Sequence, residues 1–315
     1  MLKTLKFVQG AIAKKDLVPY MQHFAIKDGN ILAYNGTITL SSPIAIDIDC
    51  KPKAAPLISA INNCSETIAI SLTEAGRLKV QSGKFKAFID CIDELTPDFK
   101  PEGSSIGLDG KTLIDALTKL IKFVGDDASR PWSQGVLITN GSIFATNNVC
   151  IVECWLGYQP AKPINIPKEA IREILRIDDI PEEILIGERS ITLKYESGRW
   201  IKSQLIDGGW PDLGKILNKE SDTKPIDKEI FAGLAVLKPF KDKLGRIYFT
   251  EGLISTSDDM TTSANYEVES INFESIYNFD MLSLLEDSVT VIDWNQSPAL
   301  FFGEGLRGAI VGMRR

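Results

Sequence analysis

Residues 135–147, GVLITNGSIFATN, decide the fold, because they form one of three similar glycine hairpins along the chain. The other two are HFAIKDGNILAYN at residues 23–35 and RIYFTEGLISTSD at residues 246–258. Their turns lie at Asp28-Gly29, Asn140-Gly141 and Glu251-Gly252, so the glycines are 112 and then 111 residues apart. Each glycine is predicted to supply the positive φ that a tight turn between two strands requires.

A second element recurs with nearly the same spacing. Pro52-Lys53 opens an apolar helix that is followed by ETIAISLTEAGRLKVQSGKF and then by TPDF at residues 96–99. Pro167-Lys168, 115 residues later, opens a helix that is followed by EEILIGERSITLKYESGRW and then by WPDL at residues 210–213. A period this long indicates duplicated domains, since solenoid repeats run to roughly 20–50 residues. The pattern predicts an α+β protein built from three tandem copies of one fold, in residues 1–103, 104–219 and 220–315.

Capping residues and apolar periodicity place the helices within each copy. Asp109 and Asp227 are predicted N-caps, and Pro239 is predicted to bend or end the helix that follows Asp227. The remaining boundaries follow the spacing of apolar residues, which predicts helices over residues 2–13, 111–124, 167–177 and 279–287.

Composition favours a folded intracellular protein. Hydrophobic residues make up 44% and charged residues 24% of the 315 residues, and no apolar run approaches the ~18 residues of a membrane span. The start, MLKTLKFVQGAIAKK, is predicted to be an amphipathic helix and not a signal peptide, because its apolar residues recur at helical spacing. The five scattered cysteines are interpreted as small buried hydrophobic residues in a reducing compartment, which predicts a cytoplasmic location.

Catalytic motifs are sparse. His23 is the single histidine, so any histidine-dependent nucleophile scheme would rest on it. The aspartate pairs Asp126-Asp127 and Asp258-Asp259 are predicted to face water, and no phosphate-binding glycine motif is present. We therefore expect no enzyme activity, no cofactor and no metal site. A magnesium-dependent nucleic-acid enzyme that uses the aspartate pairs stays open as an alternative.

Basic residues concentrate on the predicted helices, although the net charge is −7. A cationic helical surface on an acidic protein is suited to contact phosphates without reading bases. The alternative is a set of solvated helix faces with ordinary ion pairs. The candidate DNA-contacting residues are Lys3, Lys6, Lys111, Lys119, Lys122, Lys168, Arg172, Arg176, Lys228, Lys238 and Lys241.

Four segments resemble, in order, motifs of the bacterial sliding clamp family, the β subunit of DNA polymerase III, in the shortened form that phages often carry. VQSGKFK at residues 80–86 is similar to the family's Val-x-Ser-Gly-x-x-x-Phe strand, and residues 135–147 resemble its middle-domain hairpin. DGGWPDLGKIL at residues 207–217 resembles its Asp-Gly-x-Phe-Pro-Asp-Tyr turn, and AIVGMRR at residues 309–315 resembles its Val-Met-Pro-Met-Arg end.

The resemblance implies a head-to-tail homodimeric ring of six domains, with helices lining a channel and sheets outside. Such a ring encircles duplex DNA, tethers a replicative polymerase and catalyses nothing, and it would serve a bacterial or phage replication system. A ring-forming scaffold that never encircles DNA stays open as the alternative.

The resemblance also implies a pocket for short peptides of a polymerase and a clamp loader. Its matching positions are Thr146, Val149, Cys150, Ile151, Pro211, Lys215, Ile216, Val311 and Met313. This chain departs from the family where Asn148-Val149-Cys150 replaces Gly-His-Arg and Gly312 replaces proline. A more apolar pocket with fewer hydrogen-bonding groups is expected.

Ring closure in the family joins an edge strand of the first domain to the third domain. Opposite charges around an apolar centre would suit such edge pairing. The matching positions are Lys84, Lys86, Ile89, Val236, Leu237, Glu267 and Glu269.

Overall fold

The computed structural model describes residues 1–15, 18–94, 96–259 and 261–314. These residues form seven α-helices: α1 (Leu2–Val8), α2 (Ala54–Asn62), α3 (Gly110–Leu120), α4 (Lys168–Ile177), α5 (Gly214–Leu217), α6 (Lys228–Leu237) and α7 (Phe279–Ser283). Short 3-10 helices lie at Gln9–Ala11, Pro19–Gln22, Ile121–Phe123, Pro131–Gln134 and Lys238–Phe240.

The strands of the first half are β1 (Ala25–Lys27), β2 (Asn30–Tyr34), β3 (Ile38–Pro43), β4 (Ala69–Leu72), β5 (Leu78–Ser82), β6 (Phe85–Ile89), β7 (Ser104–Ser105), β8 (Gly135–Thr139), β9 (Ser142–Thr146), β10 (Cys150–Trp155) and β11 (Ile164–Pro167). Those of the second half are β12 (Glu183–Ile186), β13 (Ser190–Lys194), β14 (Trp200–Gln204), β15 (Lys224–Pro225), β16 (Arg246–Thr250), β17 (Leu253–Ser255), β18 (Asn265–Glu267), β19 (Ser275–Asn278), β20 (Val291–Asp293), β21 (Ala299–Gly303) and β22 (Leu306–Ile310). All paired strands are antiparallel, which confirms the predicted α+β class.

The chain divides into two compact units, the first made of residues 1–114 and 169–205 and the second of residues 115–168 and 206–315. The first unit contains a seven-stranded sheet in the order β1-β2-β3-β14-β13-β12-β7 and a three-stranded sheet in the order β4-β5-β6. The second contains an eight-stranded sheet in the order β11-β8-β9-β10-β22-β21-β20-β15 and a four-stranded sheet in the order β18-β17-β16-β19. Each large sheet combines strands from two of the predicted domains, and the three-domain division stays a prediction.

The three glycine turns adopt the backbone that their sequences predict. Asp28 and Gly29 both have positive φ (49° and 69°), as do Asn140 and Gly141 (50° and 79°), and these pairs connect strands in tight hairpins. In the third turn the glycine, Gly252, takes the positive φ of 72°. The turn chemistry is therefore local, and it sets the strand register in each hairpin.

The predicted helix caps are also confirmed. Asp109 Oδ2 accepts a hydrogen bond from Thr112 N at 2.7 Å, and Asp227 Oδ1 accepts one from Glu229 N at 2.9 Å. The helix after Asp227 ends at Leu237, just before Pro239. The last helix is shorter than predicted, since after Ser283 the amides bond three residues back, to Met281 and Leu282, and tighten into turns.

Within the first unit, α1 packs its apolar side inward and approaches α4 closely. Leu5 and Val8 are fully buried, whereas a Cβ on Gly10 would lie 2.0 Å from Glu173 Oε2. A larger residue at position 10 would require the Glu173 and Arg176 side chains to move. Among the described residues, no helix is long and apolar enough to cross a membrane.

Candidate functional site

Most of the predicted DNA-contacting side chains reach solvent. In the first unit Lys3 and Lys6 are exposed on α1, and Arg172 is exposed on α4. α1 buries Leu5 and Val8 on its other side, so its lysines are directed away from the core. Lys111, Lys119, Lys228 and Lys238 are exposed as well.

Other members of that set hold the protein together. Arg176 donates to the carbonyl oxygen of Phe7 at 2.8 Å and to that of Lys6 at 3.4 Å, so it caps the end of α1. It also pairs with Glu173 at 2.5 Å. Basic groups near a helix C-terminus are stabilising, because the last carbonyls lack intrahelical partners. Arg176 is thus mainly a structural residue.

Lys168 and Lys241 are similarly engaged in the second unit. Lys168 Nζ donates to Val124 O at 2.8 Å and to Asp126 Oδ2 at 2.7 Å, and its side chain is 15% exposed. Lys241 pairs with Asp280 at 2.5 Å. Neither ammonium group is available to a phosphate without losing these partners.

Two lysines at the end of α3 have mixed surroundings. Lys119 Nζ donates to the carbonyl oxygen of Glu304 at 3.0 Å, and this side chain stays exposed. Burial lowers the pKa of Lys122, whose Nζ lies 5.4 Å from the Phe123 ring centre. Because Lys122 is half-buried, its ammonium group is less accessible to a phosphate than those of the exposed lysines.

The second candidate site lies on one face of the eight-stranded sheet, which we call the Ile151 face. Strand register places Ile151 opposite Thr146 on β9 and opposite Ala309 on β22. Successive side chains alternate between faces, so the Ile151 face also carries residues two positions away on each strand. Its buried apolar cluster is Leu137, Phe144, Ile151, Leu217, Leu300 and Ala309.

Residues 210–217 cover part of the Ile151 face. Trp210, Leu213 and Ile216 are half-buried and pack on the apolar cluster. The same segment leaves Pro211 exposed, and Lys215 is 82% exposed at 3.5 Å from Asp212. Of the predicted pocket residues, Ile151 and Ile216 therefore meet in one apolar cluster.

The remaining predicted pocket residues are distributed around the end of β10. The Thr146 hydroxyl donates to Cys150 O at 2.7 Å, and Val311 N donates to Val149 O at 2.9 Å. Val311 is 48% exposed. Met313 N donates to Ile276 O at 2.6 Å, which ties the end of the described chain to β19.

Cys150 is not on the Ile151 face. As the residue next to Ile151 on a strand, it points to the opposite side, where its Sγ lies 3.9 Å from Met281 O and where it is 1% exposed. Conversely, the sequence reasoning missed Ala309 and Leu300, which lie beside Ile151 in the cluster. Strand alternation from Ile151 and Val311 was the signal that could have found Ala309.

The predicted ring-closure residues lie at or near free sheet edges. β6 is an edge of the three-stranded sheet and β18 an edge of the four-stranded sheet. Lys84, Lys86, Glu267 and Glu269 are exposed in the single chain, and their role in ring closure stays a prediction.

The apolar residues expected at the centre of that interface are not all exposed. Ile89 is 2% exposed and Leu237 is 1% exposed, so both are already buried inside the single chain. Phe88 and Val236, at 44% and 56% exposed, are their neighbours that reach solvent. Phe88 was missed, although it lies next to Ile89 on the same strand.

The candidate catalytic residues have ordinary structural partners. Asp126 pairs with Lys168, Asp127 accepts from Ser129, and His23 Nδ1 lies 2.7 Å from Pro19 O. Within residues 1–15, 18–94, 96–259 and 261–314, no three histidine, cysteine or acidic side chains converge as metal ligands would.

Comparison with known proteins shows similarity at the level of structure. No protein-family model matches the chain, and no curated protein sequence matches it significantly. The β subunit of DNA polymerase III from Pseudomonas aeruginosa superposes with a TM-score of 0.82, at 17% identity, over 100% of this chain and 97% of that one. The chain has the fold of a sliding clamp.

Other sliding clamps superpose over the same extent. The clamp from Bartonella birtlesii, solved bound to griselimycin, has a TM-score of 0.85 at 15% identity. The clamp from Bacillus subtilis has a TM-score of 0.79 at 14% identity. In both comparisons the match covers 100% of this chain and 97% of the other. The sliding-clamp fold thus extends over the whole chain, as the four sequence motifs predicted.

Proposed function

We propose that this protein is a DNA sliding clamp. Two copies would close head to tail into a ring that encircles duplex DNA and tethers a replicative polymerase, without catalysing a reaction. The observation that carries the proposal is the full-length fold shared with polymerase β subunits at TM-scores of 0.79–0.85. Such a tether raises the effective concentration of polymerase at the primer end, so no new contact with the bases is needed.

The DNA contacts would be electrostatic and independent of sequence. Exposed cations on four helices support this reading, since side chains of this kind neutralise phosphates and carry no base information. We assign the principal contacts to the exposed residues Lys3, Lys6, Lys111, Lys119, Arg172, Lys228 and Lys238. Lys122 would contribute less, while Lys168, Arg176 and Lys241 would support the helices that present the others.

Ring closure would pair β6 of one copy with β18 of the other. Lys84 and Lys86, at the basic edge formed by β6, would face Glu267 and Glu269 at the acidic edge formed by β18. All four side chains are exposed in the single chain. Phe88, with Val236 of the partner subunit, would supply the apolar contact. Pairing two free edges also removes exposed backbone groups that otherwise favour aggregation.

The partner site would be the Ile151 face beside residues 210–217. An apolar floor with few polar groups suits insertion of apolar side chains from a linear peptide. Clamps of Pseudomonas aeruginosa and Bartonella birtlesii have been solved with griselimycin bound. We infer that this chain takes the corresponding segment of its polymerase and loader at this face, in the cytoplasm of a bacterial cell.

A circular plasmid tests the proposal. The protein is incubated with nicked circular DNA and then passed over a sizing column in high salt. A clamp stays with the circle and is released when a restriction enzyme linearises it. Equal retention on circular and linear DNA would contradict the proposal.

A further inference from the structure

A groove of about 690 Å³ lies on the side of residues 210–217 that faces the β8–β9 hairpin. Leu137 and Phe144, each 6% exposed, are among its lining residues, as are the two aromatic rings of Trp155 and Trp210. Pro211 lines the groove and also belongs to the proposed peptide pocket. The groove and that pocket therefore share the covering segment and part of the apolar floor, Leu137 and Phe144.

Trp155 is held in place although it is 71% exposed. Its ring lies against the β8–β9 turn, where a Cβ on Gly141 would come within 2.7 Å of it. The amides of Leu156 and Gly157 both donate to Gly141 O, at 2.9 and 3.0 Å, and anchor the chain that follows. An exposed indole that lies against a backbone turn is typical of a binding surface, since it offers a large apolar area to a partner.

Trp210 offers the polar contact. Its Nε1 is buried and has no hydrogen-bond partner among the described residues. The ring is held by an edge-to-face contact with Trp132, whose centre lies 5.2 Å away. A buried donor without an acceptor is unfavourable, so a shift of the indole that brings Nε1 to the carbonyl oxygen of a ligand would gain binding free energy.

The charged groups of the groove are already neutralised. Arg307 Nε pairs with Glu153 Oε2 at 2.6 Å, and Ser142 donates to Glu153 Oε1 at 2.7 Å. Arg307 also donates to Leu217 O at 3.4 Å and to Asn218 Oδ1 at 3.1 Å. The wall is thereby fixed before binding, and an uncharged occupant suits it best.

We propose that this Trp155–Trp210 groove binds the residues that flank the partner peptide, taking one uncharged apolar side chain against Trp155 and one backbone carbonyl at Trp210 Nε1. The inference rests on the proposed peptide pocket and extends it. It assigns to this protein a partner segment longer than the pocket alone would take.

The test uses linear peptides selected from a random display library on the intact protein and eluted with griselimycin. Affinities are then measured for the wild type, Trp155→Ala, Trp210→Phe and Phe240→Ala, the last replacing an aromatic residue that is 61% exposed and outside both sites. We expect Trp155→Ala to weaken binding about tenfold and Trp210→Phe about threefold, with no change for Phe240→Ala. Peptides trimmed at the flank should bind the wild type and Trp155→Ala equally.

A second readout follows the donor directly. The five tryptophans give five indole N–H signals in a ¹⁵N spectrum, and the signal absent from Trp210→Phe identifies Trp210. That signal should move when the full peptide binds and stay in place with the trimmed peptide. Binding within twofold for Trp155→Ala, with an unmoved Trp210 signal, would overturn the inference alone. Failure of the intact protein to retain any peptide from the library would contradict the proposed peptide pocket and, with it, this extension.

Discussion

Arg307 Nε lies 2.6 Å from Oε2 of Glu153 and joins β10 to the last strand, β22, across the middle of the eight-stranded sheet. The two side chains are 38% and 14% exposed, so water screens the pair only in part. Because Arg307 also reaches Leu217 O and Asn218, it connects the sheet to the segment that covers the Ile151 face. One side chain thus links strand pairing to the shape of the proposed peptide site.

Replacing Arg307 should destabilise the protein. Arg307→Met leaves Glu153 half-desolvated without its cation, and we expect a loss of about 2 kcal/mol in the free energy of unfolding, measured by urea titration. The double variant Arg307→Met/Glu153→Gln should recover part of that loss. Lys215→Met, which breaks an exposed pair at 3.5 Å, is the control and should cost under about 0.5 kcal/mol. Equal losses for Arg307→Met and Lys215→Met would refute this role.

Arg172 and Arg176 should separate DNA binding from stability. Arg172 is exposed on α4, so Arg172→Ala should weaken DNA binding. The slope of log binding constant against log salt concentration should become less steep by about 0.9 for each phosphate that is no longer neutralised. Arg176→Ala removes the cap on α1 and should cost about 1 kcal/mol in unfolding free energy. Fluorescence anisotropy on duplex DNA and urea titration measure the two effects. The reverse pattern would show that Arg176 is the DNA-binding residue.

Charge reversal on β6 should open the ring. Lys84→Glu/Lys86→Glu places four acidic groups on the two edges that are proposed to pair, and like charges there repel. Light scattering should give roughly twice the 34.7 kDa chain mass for the wild type and the single-chain mass for the variant. Restoring the dimer by Glu267→Lys/Glu269→Lys in the same chain would confirm the pairing. An unchanged mass for the first variant would exclude it.

Two buried thiols should make stability depend on alkaline pH. Burial raises the pKa of Cys150 to about 12 and that of Cys154 to about 11, whereas the unfolded chain titrates near its ordinary value of 9.0. Above pH 9 the unfolded state therefore binds fewer protons than the native state, and the free energy of unfolding falls as pH rises. Urea titrations between pH 8 and pH 10 should show a smaller fall in the free energy of unfolding for Cys150→Ala than for the wild type. The same slope as in wild type would argue against a thiol origin.

The tight turns and helix caps could be predicted from the sequence, whereas the burial of individual side chains could not. The turns at Gly29 and Gly141 and the caps Asp109 and Asp227 depend on neighbouring residues only, so their prediction held. Whether Ile89 is buried or exposed depends on which side of its edge strand faces the core. A shift of one residue in the strand register reverses that side.

The candidate sites show the same limit. The sequence motifs brought Ile151 and Ile216 together, and the structure has both in one apolar cluster, while the peptide site itself stays a prediction. It could not show that Cys150 faces away, nor that Arg176 is used by the end of α1, since both facts depend on long-range contacts. Trp155 carries no motif, and its proposed role rests only on its position beside the Gly141 turn.

The central claim, that two copies enclose DNA, is tested most directly by threading. The protein is incubated with linear duplex DNA biotinylated at both ends, streptavidin is added to block the ends, and the sample is washed at about 1 M salt, where charges are screened beyond roughly 3 Å. A closed ring predicts retention when streptavidin follows the protein and none when it precedes the protein or is omitted. Loss of the protein from the DNA in all three conditions, including the one in which streptavidin follows the protein, would contradict the account.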